Sequence, residues 1–123
     1  MLTANELRIG NIVACDFIHT PDGVHIISGE DIYMIQTGCQ KAELLGIPLT
    51  ARTLEQCGYA FFEGYWHHEF VDLKEDKDGF YLCIEDEHDY ELYTVSRAFQ
   101  YVHQLQNLYF ALCGEELSIK ILK

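Results

Sequence analysis

The segment Ser96-Arg97-Ala98-Phe99-Gln100-Tyr101-Val102-His103-Gln104-Leu105-Gln106-Asn107-Leu108-Tyr109-Phe110-Ala111-Leu112-Cys113-Gly114 decides the architecture. Ser96 is a good N-cap type, and Gly114 suits the left-handed position that ends a helix. Between them Phe99, Val102, Leu105, Tyr109 and Leu112 recur at three- to four-residue intervals, and Tyr101 and Leu108 widen the stripe. The seventeen residues inside these caps make a rod of about 25 Å at the helical rise. A chain of 123 residues has a radius of gyration of about 14 Å, so the rod nearly matches the diameter of one domain and should be its main packing element.

The rest of the chain is short strands and turns. Thr3-Ala4-Asn5-Glu6 has capping-box spacing and predicts one helical turn, ended by Gly10. Asn11–Phe17, Val24–Ile27 and Ile32–Ile35 read as strands, with Pro21-Asp22-Gly23 as a turn, which suggests a meander or part of a small barrel. Thr50 caps a short central helix with Leu54 and Cys57 on one face and Gly58 after its end. Phe70–Leu73 and Phe80–Ile84 form a predicted hairpin around Asp78-Gly79, Tyr90–Val95 a further strand, and Leu117–Ile121 an alternating last strand. The expected fold class is α+β: a mostly antiparallel sheet packed on one long C-terminal helix plus a short central helix, in a single domain over residues 1–123.

Charge is unevenly placed. The net charge is −12, and residues 63–91 alone hold 11 acids against two bases. These acids alternate with apolar residues, as in Phe70-Val71-Asp72-Leu73, which is a folded pattern and not that of a solvated tail. An acidic surface disfavours direct nucleic-acid contact and anionic membranes. No run of 18 apolar residues is present, and Met1–Glu6 lacks a basic start and an apolar stretch, so neither a membrane span nor a secretory signal is expected. The five cysteines, at 15, 39, 57, 83 and 113, form no C-x-x-C; they are expected to be reduced cytoplasmic thiols packed as small hydrophobes.

Several chemical motifs are incomplete. Asp76, Asp78, Gly79 and Glu85 match positions of a calcium loop, but Lys74 stands where the first carboxylate belongs and the flanks read as strands. His67-His68-Glu69 contains an H-x-E triplet without the paired thiolates that zinc deaminases need, and neighbouring strand histidines face opposite ways. His88-Asp89 is a lone dipeptide, and Cys57 with His67 is more simply a core thiol than a nucleophile pair. No catalytic residue, metal or cofactor is therefore expected.

Two features point to binding instead. Tyr59–Phe70 has six aromatics in twelve residues and no Lys or Arg, which fits core packing or protein anchors better than a base-stacking platform. The long helix carries an uncharged polar stripe, Gln100, His103, Gln104 and Asn107, with Arg97 the only charge between Ser96 and Gly114. Interfaces are depleted in charge, so this face is a candidate subunit or partner interface.

Glu6-Leu7-Arg8-Ile9-Gly10-Asn11 and Tyr101-Val102-His103-Gln104-Leu105-Gln106-Asn107-Leu108-Tyr109-Phe110-Ala111-Leu112-Cys113-Gly114-Glu115-Glu116-Leu117 together resemble a group of small uncharacterised proteins of phages, prophages and mobile elements of Bacteroidota. Gly46-Ile47-Pro48-Leu49-Thr50 is similar to that group's join into its short helix. The resemblance covers both ends and one joint, and leaves residues 59–95 outside it. It implies a cytoplasmic accessory role on a mobile element and transfers no mechanism.

The resulting expectation is a non-enzymatic protein-binding accessory protein. Tyr65, Trp66, Glu69, Asp72, Glu85, Asp86 and Glu87 would meet a protein partner with a basic surface, and the helix stripe would serve folding or self-association as a homo-oligomer. The competing expectations are an acidic inhibitor that imitates nucleic acid at a host defence or nucleic-acid enzyme, and a small metal-binding protein or enzyme.

Overall fold

The computed structural model describes residues 2–15, 24–38, 44–68, 71–85, 92–94 and 96–119, the side chains of residues 15, 84, 85 and 92–94 excepted. Its elements are a 3-10 turn (Ala4–Glu6), β1 (Ile12–Cys15), β2 (Val24–Ile26), α1 (Gly29–Thr37), β3 (Leu44–Leu45), α2 (Ala51–Gln56), β4 (Ala60–Phe62), β5 (Tyr65–His67), β6 (Asp72–Asp76), β7 (Gly79–Glu85), β8 (Leu92–Thr94) and α3 (Val102–Cys113). The fold is α+β, with a three-stranded sheet in the order β2-β1-β3 and a five-stranded sheet in the order β4-β5-β6-β7-β8. Every strand pair is antiparallel. The small sheet does not close into a barrel. Among the described residues no helix is long and apolar enough to cross a membrane.

Ile32–Ile35 is helical, not a third strand. Ser28 caps α1: its hydroxyl accepts from the Asp31 N–H at 3.2 Å, and the Asp31 carboxylate accepts from the Ser28 N–H at 2.8 Å. Gly38, at φ 73°, ends the helix. Ile32 and Ile35, one turn apart, pack on the small sheet's core, while Tyr33 points out. A four-residue apolar run fits either period, and here the cap decides between them.

The main helix begins five residues later than its sequence suggests, at Val102 instead of Arg97. Ser96 does not cap it; the Ser96 hydroxyl accepts from the Leu82 N–H at 2.9 Å. Residues 99–101 are extended instead. Phe99 and Phe80 exchange backbone bonds at 2.8 and 2.9 Å, and the Gln100 carbonyl accepts from the Leu49 N–H at 2.8 Å. The Gln104 side chain closes the helix start by accepting from the N–H groups of Gln100 and Tyr101 at 3.0 and 3.1 Å. The end is as expected, with Gly114 left-handed and its N–H on the Phe110 carbonyl.

Two cores result. The larger joins Leu54, Cys57, Tyr59, Trp66, Leu73, Leu82, Val102, Leu105 and Tyr109, so α2 and α3 cover one face of the large sheet. The smaller joins Leu2, Leu7, Val13, Ile27 and Leu44. Leu117 and Ile119 also pack on the larger core without joining a strand, so their alternation reflects burial and not ladder pairing. Residues 120–121 of that predicted strand, the turn at 21–23 and the strand ends at 16–17 lie outside the described residues.

Candidate functional site

The hairpin β4–β5 forms one edge of the large sheet. Its register pairs Ala60 with His67, Phe61 with Trp66 and Phe62 with Tyr65. The loop is the two residues Glu63 and Gly64, at φ 51° and 87°. Two consecutive positive values are the type I′ turn, whose twist matches that of the strands it joins.

Side chains alternate across this hairpin. Trp66 lies beside Leu73, and Leu73 beside Leu82, so Trp66 faces the main core and is only 6% exposed. This corrects its assignment as a surface anchor: a partner cannot reach it without opening the fold. Phe61 shares that face and meets Trp66 edge-on, with centroids 5.2 Å apart, yet β4 overhangs the core and leaves Phe61 58% exposed. Phe62 is on the outer face and 64% exposed. Tyr65, half-buried, sits across from it. Among the described residues of the cluster the exposed aromatics are thus Phe61 and Phe62, which the sequence pattern did not single out, and Phe70 lies outside the described residues.

His67 and His68 do point opposite ways. His67 lies outward, with Nδ1 3.3 Å from the Asp72 carboxylate and Nε2 3.0 Å from the Phe62 carbonyl. Its ring is 6.2 Å from Phe62 and 6.4 Å from Tyr65. His68 turns inward, 4.9 Å from the Tyr59 ring and edge-on to Tyr109 at 5.2 Å. Asp72 is half-buried beneath this outer group and also accepts from the His68 N–H at 3.4 Å. Glu85 is described in backbone only, at the end of β7; Glu69, Asp86 and Glu87 lie outside the described residues, as does the His88-Asp89 pair.

The calcium-like stretch is a β-hairpin. Asp76 pairs with Gly79 across Lys77-Asp78, and the Asp76 carboxylate accepts from the Asp78 N–H at 2.7 Å. Among the described residues no three His, Cys, Asp or Glu side chains are grouped to hold a metal ion. Cys57 is a buried free thiol and Cys113 a half-buried one, and Cys83 is buried with its Sγ 3.7 Å from the Tyr81 carbonyl. Burial pushes the Cys57 thiol up to about 12, the opposite of what a nucleophile needs.

The polar stripe of α3 has an internal partner. His103 is fully buried, with Nε2 3.2 Å from the Glu6 carboxylate. Burial disfavours its charged form and outweighs Glu6, so it titrates below its ordinary value. Asn107 accepts from Asn11 at 2.8 Å and from Arg8 at 3.2 Å, and donates to the Glu6 carbonyl at 3.1 Å. Gln106, missed in the sequence pattern, accepts from the Ile12 N–H at 2.7 Å and donates to the Gly10 carbonyl at 3.2 Å. Arg8 pairs with Glu116 and lies 4.3 Å from the centre of the Phe110 ring. Gln104 serves the helix start, and Gln100, exposed, donates to the Asp78 carbonyl at 3.3 Å. His103 and Asn107 are therefore not a free face for another subunit. The depletion of charge is real, and the surface it matches is the chain's own N-terminal segment.

Residues 6–11, residues 46–50 and α3 meet at this joint. Residues 6–11 bind α3 as above. Ile47 accepts from the Val102 N–H at 2.8 Å, Pro48 bridges Tyr101, and a side chain at Gly46 would fall 2.6 Å from the Tyr101 ring. Their common role in this fold is packing. No protein-family model, curated protein or solved structure matches the chain.

Proposed function

We propose that this chain is a small protein-binding accessory protein that acts without chemistry of its own, and that its partner presents a basic surface. The observation that carries the reading is the exposure of Phe61 and Phe62 side by side on an edge strand. Large aromatics on both faces of one short strand are costly to leave in water, and such residues are the usual anchors of protein interfaces. The hairpin leads into the segment with 11 acids and two bases, which would steer a basic partner and select against an acidic one. The resemblance of the two ends adds a cytoplasmic, mobile-element setting to this proposal.

The test is affinity capture from the host with the wild-type chain and with a Phe61→Ala/Phe62→Ala double variant, followed by mass spectrometry. The expected result is a basic protein recovered by the wild type and lost by the variant, with recovery falling as salt rises. Equal recovery by both chains removes the aromatic edge from the reading.

A further inference from the structure

We infer that β4 is a docking edge for an extended, Lys- or Arg-bearing segment of a basic protein, which joins the large sheet as an added strand. This rests on the binding reading above and specifies how the partner is held. The backbone supplies the first part. In a two-residue hairpin the closing pair, here Phe62 and Tyr65, exchanges both ladder bonds, so the next pair, Phe61 and Trp66, exchanges none. The N–H and C=O of Phe61 then point away from β5, toward the open edge, and no described residue bonds them. Edge strands are ordinarily blunted by Lys or Pro, and residues 59–70 contain neither.

The side chains supply the second part. Phe61 and Phe62 stand on opposite faces, so an added strand meets an aromatic ring on each. A Lys or Arg on the outer face of that strand lies over the Phe62 ring and within the field of the exposed Glu63 carboxylate. Charge separates the candidate occupants. A second copy brings another −12 to an edge beside the acid-rich segment, whereas a basic strand is drawn to it.

The probe is a capped peptide of about seven residues alternating arginine and valine, with a control that replaces arginine by glutamate. Trp66, the chain's one tryptophan, reports from 5.2 Å behind Phe61 by its fluorescence. The arginine peptide is expected to shift Trp66 emission saturably and more weakly as salt rises, and the glutamate peptide to leave it unchanged. Phe61→Ala removes the ring, and Phe61→Pro removes the ring and the outward N–H. The proline variant is expected to bind about tenfold more weakly than the alanine variant. Glu63→Arg, in the exposed turn, is expected to weaken binding several-fold and decides the matter if the proline variant does not fold.

Absence of binding by the arginine peptide, equal binding by Phe61→Ala and Phe61→Pro, or undiminished binding by Glu63→Arg overturns the inference. So does a wild-type dimer in sedimentation that Phe61→Pro dissolves, which assigns the edge to a second copy. Equal binding by the alanine and proline variants, with capture still lost in the Phe61→Ala/Phe62→Ala chain, ends strand addition alone and leaves the aromatic interface standing.

Discussion

The side-chain carbonyl of Gln106 accepts the backbone N–H of Ile12 at 2.7 Å, while its amide donates to the Gly10 carbonyl at 3.2 Å. A residue of α3 thereby satisfies two main-chain groups of the N-terminal segment in a buried place. Both ends of one amide are used, so no isosteric apolar side chain can replace it.

Gln106→Leu is expected to cost about 2–3 kcal/mol, because it leaves a buried donor and acceptor without partners while keeping the volume. Urea denaturation of the two chains, compared at equal slope, measures it. A loss below about 0.5 kcal/mol would show that water replaces the amide at this joint.

His103 sets the expected pH dependence. Its folded-state value lies below the ordinary 6.5, so the unfolded chain takes up the proton first. The neutral form stabilises the fold above about pH 6.5, and that contribution is lost as pH falls through the folded value. Glu6 adds a second step at lower pH. Burial opposes its ionisation, but bonds from Thr3 and His103 prevail and lower its value below 4.5, so its contribution is also lost on acidification. Urea midpoints are expected to fall between pH 7 and 5.5, and the fall is expected to flatten in His103→Gln. An unchanged slope in that variant would assign the pH response to other groups.

Trp66 and Phe62 are expected to behave oppositely when truncated. Trp66→Ala opens the main core and should cost about 3–5 kcal/mol. Phe62→Ala should change stability by about 0.5 kcal/mol or less, since its side chain is mostly in solvent. Thermal melts of both variants check this, and they also mean that loss of binding in a Trp66 variant reports unfolding before it reports an interface.

The two hairpins make a matched pair of glycine tests. Gly79 sits at φ 132°, and an added Cβ would stand 2.6 Å from the Phe99 carbonyl oxygen, so Gly79→Ala should cost about 2 kcal/mol or more. Gly64 is at φ 87° with open space around it, so Gly64→Ala should cost only the backbone term of about 1 kcal/mol. Glu63, at φ 51° in the same turn, should gain about 0.5 kcal/mol on change to Asn. Chemical denaturation ranks the three, and equal losses at Gly79 and Gly64 would contradict the close approach of Phe99.

Much of the fold was visible in residue types. The Thr50 cap, the Gly58 and Gly114 stops and the Asp78-Gly79 hairpin act over a few neighbours, and local chemistry is written locally. Ser28-x-x-Asp31 was equally visible, but the β-branched Ile32 and Ile35 argued for the wrong period. The orientation of the aromatic hairpin was not visible, because a shift of one residue exchanges Phe61 and Trp66 for Phe62 and Tyr65 on the core face. Nor does alternation say that β4 would lie at a sheet edge, which is why Phe61 stays exposed on the inward face. The stripe on α3 announced a contact without naming the other side, since Asn11 and Asn107 stand 96 residues apart.

That separation has a consequence for the order of events during synthesis. Ile12 waits 94 residues for the side chain that satisfies it, and Arg8 waits 108 for Glu116. The N-terminal sheet can pair its strands early, but its buried main chain is not completed until α3 has left the ribosome. Closing so long a loop is slow, so a segment made late completes one made about a hundred residues before it.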